Sequence, residues 1–518
     1  MNTADQNKTH VLIIIGHPRQ DSFSHAIAAQ YAKGLDQNCF EVQTIDLAYM
    51  AFAADISTFS PNDTPLEPAL VKARELMLWA DHLVFVYPNW WGTFPAKLKG
   101  FFDRVLNSGF AFYEDHEPGV YQPLLKGKTA EIFVTMDTPP VIYNYILGRP
   151  GHRAVADCIL GFCGIKPTHV TSFGIMKGSS LQQRELWLEN VSLRAQALNP
   201  WRQRAFKRLK RVAWIKMLRL QFYPMSFIAF VIGALAAWVE TGQFSWLVFI
   251  LGYLTLFCFK AATVFSNEIY DYASDKQNEN YSPFNGGSRV LVEGEITPRE
   301  AKRATGYLLL TAAVLALGVY LTSTAISGLS LLLLLSVTLL TTLGYTIPPF
   351  KWVYRGLGEV VVGITHSFLV VIGAYVIQSG NWFDAMPWLL SFPLCVAILP
   401  AIILSAVPDY HADKITGKRT LAVIFGPQRA VGIAMYCVIA TIVLTVFIWP
   451  WLLASWLSYV FIGLMMWHGW RLHSMLNAFY QQNAPVRRIN SLMMSALSFI
   501  LWPSVIALID LSLQVSSA

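Results

Sequence analysis

The sequence predicts two kinds of fold in one chain: an α/β doubly wound domain over residues 1–195 and an all-α membrane domain of nine transmembrane helices over residues 221–518. The chain has 518 residues, which exceeds the usual size of one domain. It is 54% hydrophobic and 14% charged, an apolar balance typical of membrane proteins. Stretches long enough to cross a bilayer begin only at about residue 221.

Short apolar runs alternate with helical patterns in the first half. The run at His10–Ile15 ends in GHPRQDSFS and an amphipathic helix, and a second helix is predicted over Pro68–Trp79. Further strands are predicted at HLVFVYP, KTAEIFVTM and THVTSFGI. Such alternation is typical of a parallel sheet that binds its ligand at the carboxyl ends of the strands. We therefore expect a site formed by the loops GHPRQDSFS, PNWWGTFP and TMDTPP.

The residue types in these loops indicate a phosphate and a flat ring. Backbone N–H groups and serine hydroxyls before a helix suit a phosphate, although the P-loop and GxGxxG patterns are both absent. Trp90 and Trp91 suit an aromatic ring, but aromatics packed in a core or an interface would give the same pattern.

These loops, with LMLWADHLVFVYPNWWGTFPAKLKGFFDRV and FCGIKP, resemble the NAD(P)H:quinone oxidoreductase family over about residues 8–190. The resemblance implies a flavodoxin-like fold, FMN or FAD, ping-pong hydride transfer from NAD(P)H to a quinone, and a homodimer formed through this domain. It implies that Tyr143 and His152 assist hydride transfer, with Tyr145 as a competitor for the first role. By position, the flavin contacts would be His17, Ser22, Phe23, Ser24, Pro88, Asn89, Trp90, Trp91, Gly92, Thr135, Met136, Asp137 and Thr138.

The joint at residues 196–220, NPWRQRAFKRLKRVAWIKMLRL, is basic with interspersed apolar residues. In a helix this pattern gives an apolar stripe edged by cations, which favours a helix lying on the inner leaflet. A solvated linker is the alternative. A polybasic stretch beside a membrane helix indicates contact with anionic lipid and not with nucleic acid.

Nine apolar spans are predicted at about 222–239, 244–266, 305–325, 327–346, 357–378, 387–407, 428–448, 450–468 and 490–511. Connections after the even-numbered spans carry the cations Lys276, Arg289, Arg299, Lys351, Arg355, Lys414, Lys418, Arg419, Arg471, Arg487 and Arg488. This positive-inside pattern predicts a multi-pass protein of the cell inner membrane with a cytoplasmic N-terminal domain. The start of the chain lacks a signal-peptide pattern, and the six cysteines are expected to be reduced and buried.

Two acidic clusters follow the second and the sixth span. The first contains Asn267, Asp271 and Asp275, and the second contains Asp409 and Asp413, with a spacing of four residues in each. That spacing places the side chains on one helical face. Acids at helix ends are the structural alternative, but two such clusters on one side of the membrane favour a shared site. Oxygen donors suit Mg²⁺, and the cations Arg289, Lys418 and Arg419 could bind a diphosphate.

NxxxDxxxD after span two and DxxxDxxxGKRTLAV after span six resemble the UbiA superfamily of intramembrane prenyltransferases over about residues 215–512. The resemblance implies Mg²⁺ held by Asn267, Asp271, Asp275, Asp409 and Asp413, with the aspartates as catalytic residues. It also implies an isoprenoid diphosphate that ionises and alkylates an electron-rich ring. SRVLVEG and GLGE resemble the menaquinone-type branch, and Tyr345 either faces the cavity or anchors a helix end at the membrane interface.

The two resemblances fit one reaction sequence, because a hydroquinone is a better nucleophile than its quinone. We expect the chain to reduce a naphthoquinone such as menadione and then to prenylate the ring, which gives a menaquinone-like lipid. One alternative is prenylation of a dihydroxynaphthoate, with the flavoprotein domain reducing the product. Another is a membrane protein of a different class, such as a transporter or receptor, in which the flavoprotein domain has a redox-regulatory role.

Overall fold

The computed structural model describes residues 8–114, 121–278, 285–481 and 489–517. It consists of two compact units, Met1–Leu209 and Lys210–Ala518, which are described separately below. The boundary between the units lies within the basic joint.

The first unit contains a five-stranded parallel sheet in the order β2-β1-β3-β6-β7. Its strands, with a small antiparallel hairpin of β4 and β5, are β1 Thr9–Ile15, β2 Phe40–Asp46, β3 His82–Pro88, β4 Phe112–Glu114, β5 Tyr121–Pro123, β6 Thr129–Thr135 and β7 Thr168–Phe173. Its helices are α1 Phe23–Gly34, α2 Pro68–Trp79, α3 Ala96–Val105, α4 Pro150–Arg153 and α5 Leu181–Gln196, with π-helical turns at Ile142–Ile146 and Ala154–Gly161.

The sheet is buried on both faces, as the continuous apolar runs predict. In β1, Leu12 and Ile14 belong to one core cluster, whereas Val11, Ile13 and Ile15 belong to another. Successive strand residues point to opposite faces, so each cluster lies on its own side of the sheet. The α/β doubly wound prediction is therefore confirmed.

All six cysteines lie in the described residues and are free, which agrees with the expected reduced state. The expectation that all are buried is wrong for Cys39 and Cys158, which are exposed. Cys39 lies in the turn before β2, and Cys158 lies on the outer side of a π-helical turn.

The second unit is helical. Helix α6, Leu198–Leu218, crosses the boundary between the units, and it is followed by α7 Tyr223–Thr241, α8 Trp246–Tyr270, α9 Tyr272–Gln277, α10 Pro298–Thr322, α11 Gly328–Leu343, α12 Gly358–His366, α13 Phe368–Ser379, α14 Ala385–Ala406, α15 Tyr410–Thr416, α16 Leu421–Phe425, α17 Pro427–Ile448, α18 Trp456–Gln481 and α19 Ile489–Ser517. One large apolar core joins α7, α8, α10, α11, α13, α14, α16, α17, α18 and α19, and α13 is buried along most of its length.

Seven helical stretches in the described residues are long and apolar enough to cross a membrane, so the protein is an integral membrane protein. The predicted number of nine spans is not confirmed. Helix α11 is apolar but has only 16 residues. Helix α18 has 26 residues but is not among the seven, since His468, Arg471 and His473 interrupt its apolar sequence. The predicted cations Arg487 and Arg488 lie outside the described residues.

The part of α6 that belongs to the second unit packs against protein on one side. Ala213 and Met217 are buried in a small core with Val290 and Leu291. Val212 and Ile215 remain more than half exposed on the same helix. The apolar pattern of the joint thus serves partly as protein core, and its contact with lipid remains a prediction.

Candidate functional site

The three expected loops meet at the carboxyl edge of the parallel sheet. The ring of His17, after β1, lies 5.7 Å from the ring of Trp90, after β3, in an edge-on contact. The backbone N–H of Asn89 donates to the carbonyl of Thr135, the last residue of β6, at 2.7 Å. The strand order therefore brings together loops that are far apart in sequence.

The second loop is held by Tyr143. Its hydroxyl donates to the carbonyl of Gly92 at 2.7 Å and accepts from the N–H of Gly151 at 2.8 Å. Gly92 has φ +80°, which favours glycine. The neighbouring Trp91 is 102% exposed relative to the reference residue, and Trp90 is 45% exposed. The two tryptophans are therefore not core residues of this unit, and their rings are available to a ligand or to another surface.

Tyr143 adjoins His152, with 4.9 Å between the ring centroids. Tyr145 is 84% exposed and makes no such contact in the described residues. His152 is buried, and its Nε2 lies 3.3 Å from the hydroxyl of Ser172. Burial, with a smaller effect of Arg149, lowers the pKa of His152 to about 4. The imidazole is therefore neutral near pH 7 and can act as a hydrogen-bonding group.

The first loop contains a chain of hydrogen bonds that sequence reasoning missed. The Ser22 hydroxyl lies 2.8 Å from Nδ1 of His25, whose Nε2 lies 2.9 Å from a carboxylate oxygen of Asp46. Asp46 ends β2, so only the strand pairing brings it near Ser22. In the described residues, the Ser24 hydroxyl is buried without a hydrogen-bond partner. A polar group left over at the start of α1 fits the phosphate of a flavin.

Three predicted flavin residues have side chains that face elsewhere. The ring of Phe23 packs against Trp187 at 6.2 Å, and Met136 is part of the core. The Asp137 carboxylate accepts from the N–H of Lys177 at 2.8 Å. These positions offer mainly backbone groups to the edge of the sheet. Pro88 and Thr135 end their strands at this edge, and Thr138 lies in the loop after β6.

In the second unit, both acidic clusters line one cavity of about 200 Å³. The Lys418 ammonium lies 3.1 Å from Asp271 and 3.5 Å from Asp413, so it bridges the two clusters. The Ser274 hydroxyl also donates to Asp413 at 3.1 Å. The predicted residues in the lining are Asn267, Asp271, Asp275, Tyr345, Asp409, Asp413 and Lys418.

Neutral donors orient several of these groups. Asn278 and Asn285 donate to one oxygen of Asp409 at 2.7 and 2.6 Å. Thr346 donates to the side-chain oxygen of Asn267 at 2.9 Å. Gly287 has φ +69°, and a Cβ at this position would collide with the carboxylate of Asp275. The loop before α10 therefore lies directly against the acids.

The cavity has too little positive charge for its carboxylates. Burial and the nearby Asp271 and Glu268 raise the pKa of Asp275 to about 8. Burial likewise raises the pKa of Asp413 to about 6 and that of Asp409 above its usual value. Burial alone would lower the pKa of Lys418, but the carboxylates around it raise that pKa well above its usual value. The two cations of the described lining, Lys418 and Arg219, are therefore outnumbered by acids, and a further cation would stabilise the charged forms of the carboxylates.

The donor set fits Mg²⁺ bound together with a phosphate ligand. In the described residues, no three His, Cys, Asp or Glu side chains are arranged as a complete metal cage. Mg²⁺ needs no such cage, because it usually binds one or two carboxylates, several waters and substrate phosphates. Oδ1 of Asp271 is buried without a hydrogen-bond partner in the described structure, which leaves an oxygen available as a ligand.

Two of the three predicted diphosphate cations do not line this cavity. Arg289 is buried and donates to the backbone carbonyls of Asp275 and Asn278, so it supports the loop. Arg419 is exposed, whereas its neighbours Lys418 and Thr420 are buried. Side chains alternate in this way along an extended segment, so Arg419 points away from the cavity that Lys418 lines. Lys418 is the predicted cation that faces the acids.

Three charged lining residues were missed: Arg219, Glu268 and Glu359. Glu268 accepts from the N–H and the hydroxyl of Ser288, and Glu359 accepts from the N–H of Leu421 at 2.7 Å. Glu268 and Glu359 could have been found in the sequence as carboxylates that lie at one end of an apolar helix. Arg219, with φ +52°, follows α6, so the joint contributes to this cavity.

A second cavity of about 200 Å³ adjoins the acidic one. Val264, Asn267 and Tyr345 line both cavities. Tyr345 therefore faces the interior, and burial raises its pKa above the usual value. The second cavity is mostly apolar, but Lys260 and His366 also line it.

Comparisons with known proteins match each unit separately. Residues 9–192 match the flavodoxin-like fold, and residues 226–492 match the UbiA prenyltransferase family. An uncharacterized NAD(P)H oxidoreductase of Haemophilus influenzae is 29% identical over 36% of this chain and 94% of its own length. The 1,4-dihydroxy-2-naphthoate octaprenyltransferase of Escherichia coli is 28% identical over 42% of this chain and 70% of its own length. The structure of an NAD(P)H:quinone oxidoreductase from Methanothermobacter marburgensis is 26% identical over 37% of this chain and 98% of that one, with a TM-score of 0.32.

Proposed function

The chain belongs to the UbiA prenyltransferase family, and from this premise we propose that it is a bifunctional enzyme that both reduces a quinone and prenylates a related aromatic ring. It carries a prenyltransferase domain of the menaquinone-type branch and an NAD(P)H oxidoreductase domain. The observation that carries the proposal is the convergence of two distant acidic motifs and Lys418 in one cavity beside an apolar one.

In the prenyl transfer, a carbon of the electron-rich ring forms a bond to C1 of the isoprenoid. The C1–O bond breaks, the diphosphate leaves with the electron pair, and the attacked ring carbon loses its proton. Asn267 and the four aspartates Asp271, Asp275, Asp409 and Asp413 would hold Mg²⁺. When bound, Mg²⁺ stabilises the charge of the departing diphosphate. Lys418 binds the same diphosphate, and the apolar second cavity excludes water from the allylic cation.

In the reductase domain, FMN or FAD would lie at the carboxyl edge of the sheet. When bound, the flavin passes a hydride from NAD(P)H to a quinone. The loop after β1 would hold its phosphate, with the Ser24 hydroxyl as a donor, and Trp90 and Trp91 would offer their exposed rings to its aromatic part. Tyr143 holds the second loop in place, and His152 supports Tyr143 as a neutral group.

The test of the coupled function uses the purified full-length protein with flavin, Mg²⁺, an isoprenoid diphosphate and menadione. We expect a prenylated naphthoquinone only when NADPH is added, because the oxidised ring is a poor nucleophile. Product formation at the same rate without any reductant would contradict the coupling.

The second candidate function is prenylation of a dihydroxynaphthoate, which gives a prenylated hydroquinone. After a two-electron oxidant such as molecular oxygen has converted this product to its quinone, the flavoprotein domain of the same chain would reduce it again. This candidate function is favoured by the two relatives named 1,4-dihydroxy-2-naphthoate octaprenyltransferase, from Escherichia coli and Haemophilus influenzae. In this order the acceptor is already reduced, so the prenyl transfer would not need NADPH. Assays with each acceptor separately distinguish the two orders. Full prenyl-transfer activity after loss of Asp271 and Asp409 would support the redox-regulatory alternative.

For the cellular arrangement, we propose a protein of the inner membrane with its reductase domain in the cytoplasm. The charge asymmetry of the connections supports this orientation. A homodimer formed through the reductase domain is part of the proposal, and it is tested by the mass of the purified protein in detergent.

A further inference from the structure

His25, near the start of α1, joins the first loop to the end of β2. Its Nδ1 accepts from the backbone N–H of Ser22 at 3.2 Å and lies 2.8 Å from the Ser22 hydroxyl. Its Nε2 lies 2.9 Å from a carboxylate oxygen of Asp46, whose other oxygen accepts from the N–H of Ala48 at 2.9 Å. Because a backbone N–H only donates, Nδ1 is an acceptor and the ring proton lies on Nε2, facing Asp46. We call Ser22, His25 and Asp46 the relay.

The relay occupies both donors of Ser22. A hydroxyl beside an accepting nitrogen donates its proton to that nitrogen, so Nδ1 receives the O–H as well as the N–H of Ser22. The neutral relay therefore leaves Ser22 without a donor for a ligand.

The rest of this turn has donors without acceptors. In the described part of the chain, the backbone N–H groups of Gln20, Asp21, Phe23 and Ser24 donate to no protein acceptor. The Ser24 hydroxyl is likewise without a partner, and Ser24 is 1% exposed. Free N–H groups at and before the first turn of a helix form a site for a phosphate. Ser22 is the cap residue of that helix, yet its donors point to His25 instead.

A proton on His25 would release the donors of Ser22. With a proton on Nδ1, the imidazolium donates to the Ser22 oxygen and no longer accepts from Ser22. The hydroxyl proton and the N–H of Ser22 can then turn to a phosphate at the start of α1. The positive ring stays paired with Asp46, and the two side chains are mostly buried, at 21% and 19% exposure. The added charge also lies beside the negative phosphate, so protonation and phosphate binding favour each other.

The other charged groups around His25 do not replace it. His17 and Arg19 lie in the same loop, and the N–H of Arg19 donates to Nδ1 of His17 at 3.0 Å. Burial, followed by Arg19 and His25, lowers the pKa of His17. Asp21 is exposed, and in the described residues it pairs with neither histidine.

The elements that pack against α1 offer His25 one carboxylate. Strands β1 and β3 and helix α5 pack against α1, but in the described structure none of their charged residues forms a hydrogen bond or an ion pair with His25. Asp46, at the end of β2, is therefore the carboxylate among the described residues that can stabilise a proton on this ring.

We infer that His25 takes up a proton when the phosphate of a flavin binds at the start of α1, and that this proton turns the donors of Ser22 to the phosphate. The inference rests on the flavin site of the proposed function and adds a proton to its binding equilibrium. His25 is a positioning residue, because it acts on the phosphate through Ser22. A permanently neutral tie between α1 and β2 is the competing role for the same side chains.

The test counts protons during the binding of FMN to the full-length protein in detergent, after its flavin has been removed. Calorimetric titrations at about pH 8 use two phosphate-free buffers with different heats of ionisation, so the buffer-dependent heat gives the number of protons taken up. At this pH histidines are usually neutral and a phosphate monoester is already a dianion, so uptake reports a change on binding.

We expect between about half a proton and one proton to be taken up per FMN, and the affinity to fall by up to about tenfold per unit of pH. Riboflavin, which lacks the phosphate, should bind without proton uptake. FAD takes the place of FMN if only FAD binds.

Three variants assign the proton. H25Q should abolish the uptake and the pH dependence of the affinity, since an amide does not titrate. D46N should reduce the uptake, because the positive ring loses its counter-charge. H169Q is the matched control and should leave the uptake unchanged. His169 also lies near a carboxylate, 4.0 Å from Glu131, but at the start of β7, away from the carboxyl edge of the sheet.

The outcomes separate this inference from the function on which it rests. Failure of the wild type to bind any flavin contradicts the flavin site, and with it the proposed reduction. Flavin binding without proton uptake, equal uptake with FMN and riboflavin, or unchanged uptake in H25Q contradicts the inference and leaves the proposed reduction intact. Uptake that persists in H25Q but disappears in H17Q assigns the proton to His17 and also overturns the inference. Should H25Q fail to fold, the wild type with FMN and riboflavin, together with D46N, gives the same answer.

Discussion

The two candidate sites of this chain position their groups by different physical means. At the edge of the sheet, loops meet through backbone hydrogen bonds and ring contacts, as between Tyr143 and Gly92. Around the acidic cavity, buried carboxylates meet one lysine, and the pKa of Asp275 is raised to about 8 mainly by burial. The first site is organised by topology, whereas the second also needs additional positive charge from its ligands.

This difference predicts how each site responds to a single substitution. Removing one neutral hydrogen bond at the edge of the sheet should lower the stability of that site by about 1–3 kcal/mol, because a buried partner loses its bond. Removing one charge from the acidic cavity should lower the stability of that site by more, because the charged groups there compensate one another. Each reaction can be assayed separately in the same protein, so every variant carries its own internal control.

The largest effect is expected for D271N. Asp271 pairs with Lys418 and has a buried oxygen without a partner in the described structure, so its loss affects both metal and diphosphate. Prenyl transfer should fall by about a thousandfold, as for the loss of a major electrostatic group. Quinone reduction by NADPH should stay unchanged. E295Q, at a partly exposed carboxylate 4.0 Å from Lys216, is the matched control. A loss below tenfold in D271N would place the site elsewhere.

The next largest effect is expected for K418M. The substitution leaves Asp271 and Asp413 facing each other without their shared counter-charge. We expect kcat/KM for the isoprenoid diphosphate to fall by about a hundredfold, in steady-state assays at saturating Mg²⁺. K414M changes an exposed lysine of α15 and should stay within about twofold. Equal effects of the two variants would show that the bridge between the clusters is not functional.

A smaller effect is expected for Y143F. Loss of the hydroxyl removes the bonds to Gly92 and Gly151 and leaves the second loop less ordered. The affinity for the flavin should fall by about tenfold, measured by fluorescence titration of the full-length protein. Y145F serves as the control, since Tyr145 is exposed. If Y145F has the larger effect, the pairing of Tyr143 with His152 is not the functional one.

The smallest effect is expected in the pH dependence of H152Q. A pKa of about 4 keeps His152 neutral from about pH 5.5 to 8, so it has no proton to lose in that range. The profiles of quinone reduction by the wild type and H152Q should therefore have the same shape, whatever their heights. An inflection between pH 6 and 7 that is present only in the wild type would show that the imidazole titrates during turnover.

Much of the fold could be predicted because its elements are long and apolar. The predicted helix Pro68–Trp79 and the strand HLVFVYP match α2 and β3 in full. Strand β2 was not predicted, because FEVQTID is exposed or half-buried over most of its length at the edge of the sheet. The predicted number of nine spans is not confirmed, because α11 has only 16 residues and because the histidines and Arg471 of α18 reduce its hydropathy.

The candidate site was only partly predictable for a similar reason. Regular spacing on one helical face indicated Asn267, Asp271 and Asp275, and the structure brings them together with Asp409 and Asp413. Residues recruited by tertiary contacts have no such periodicity. The pairing of His25 with Asp46 depends on strand order, and the outward turn of Arg419 depends on the alternation of a short extended segment.

The most direct test of the account is the set of lipid quinones made in a host that lacks its own quinone prenyltransferase. The full-length gene and its D271N variant are expressed in parallel, and the extracted lipids are identified and quantified by mass spectrometry. The account predicts a prenylated naphthoquinone with the wild-type chain and none with D271N. No prenylated quinone with the wild type, or equal amounts with both chains, would contradict it.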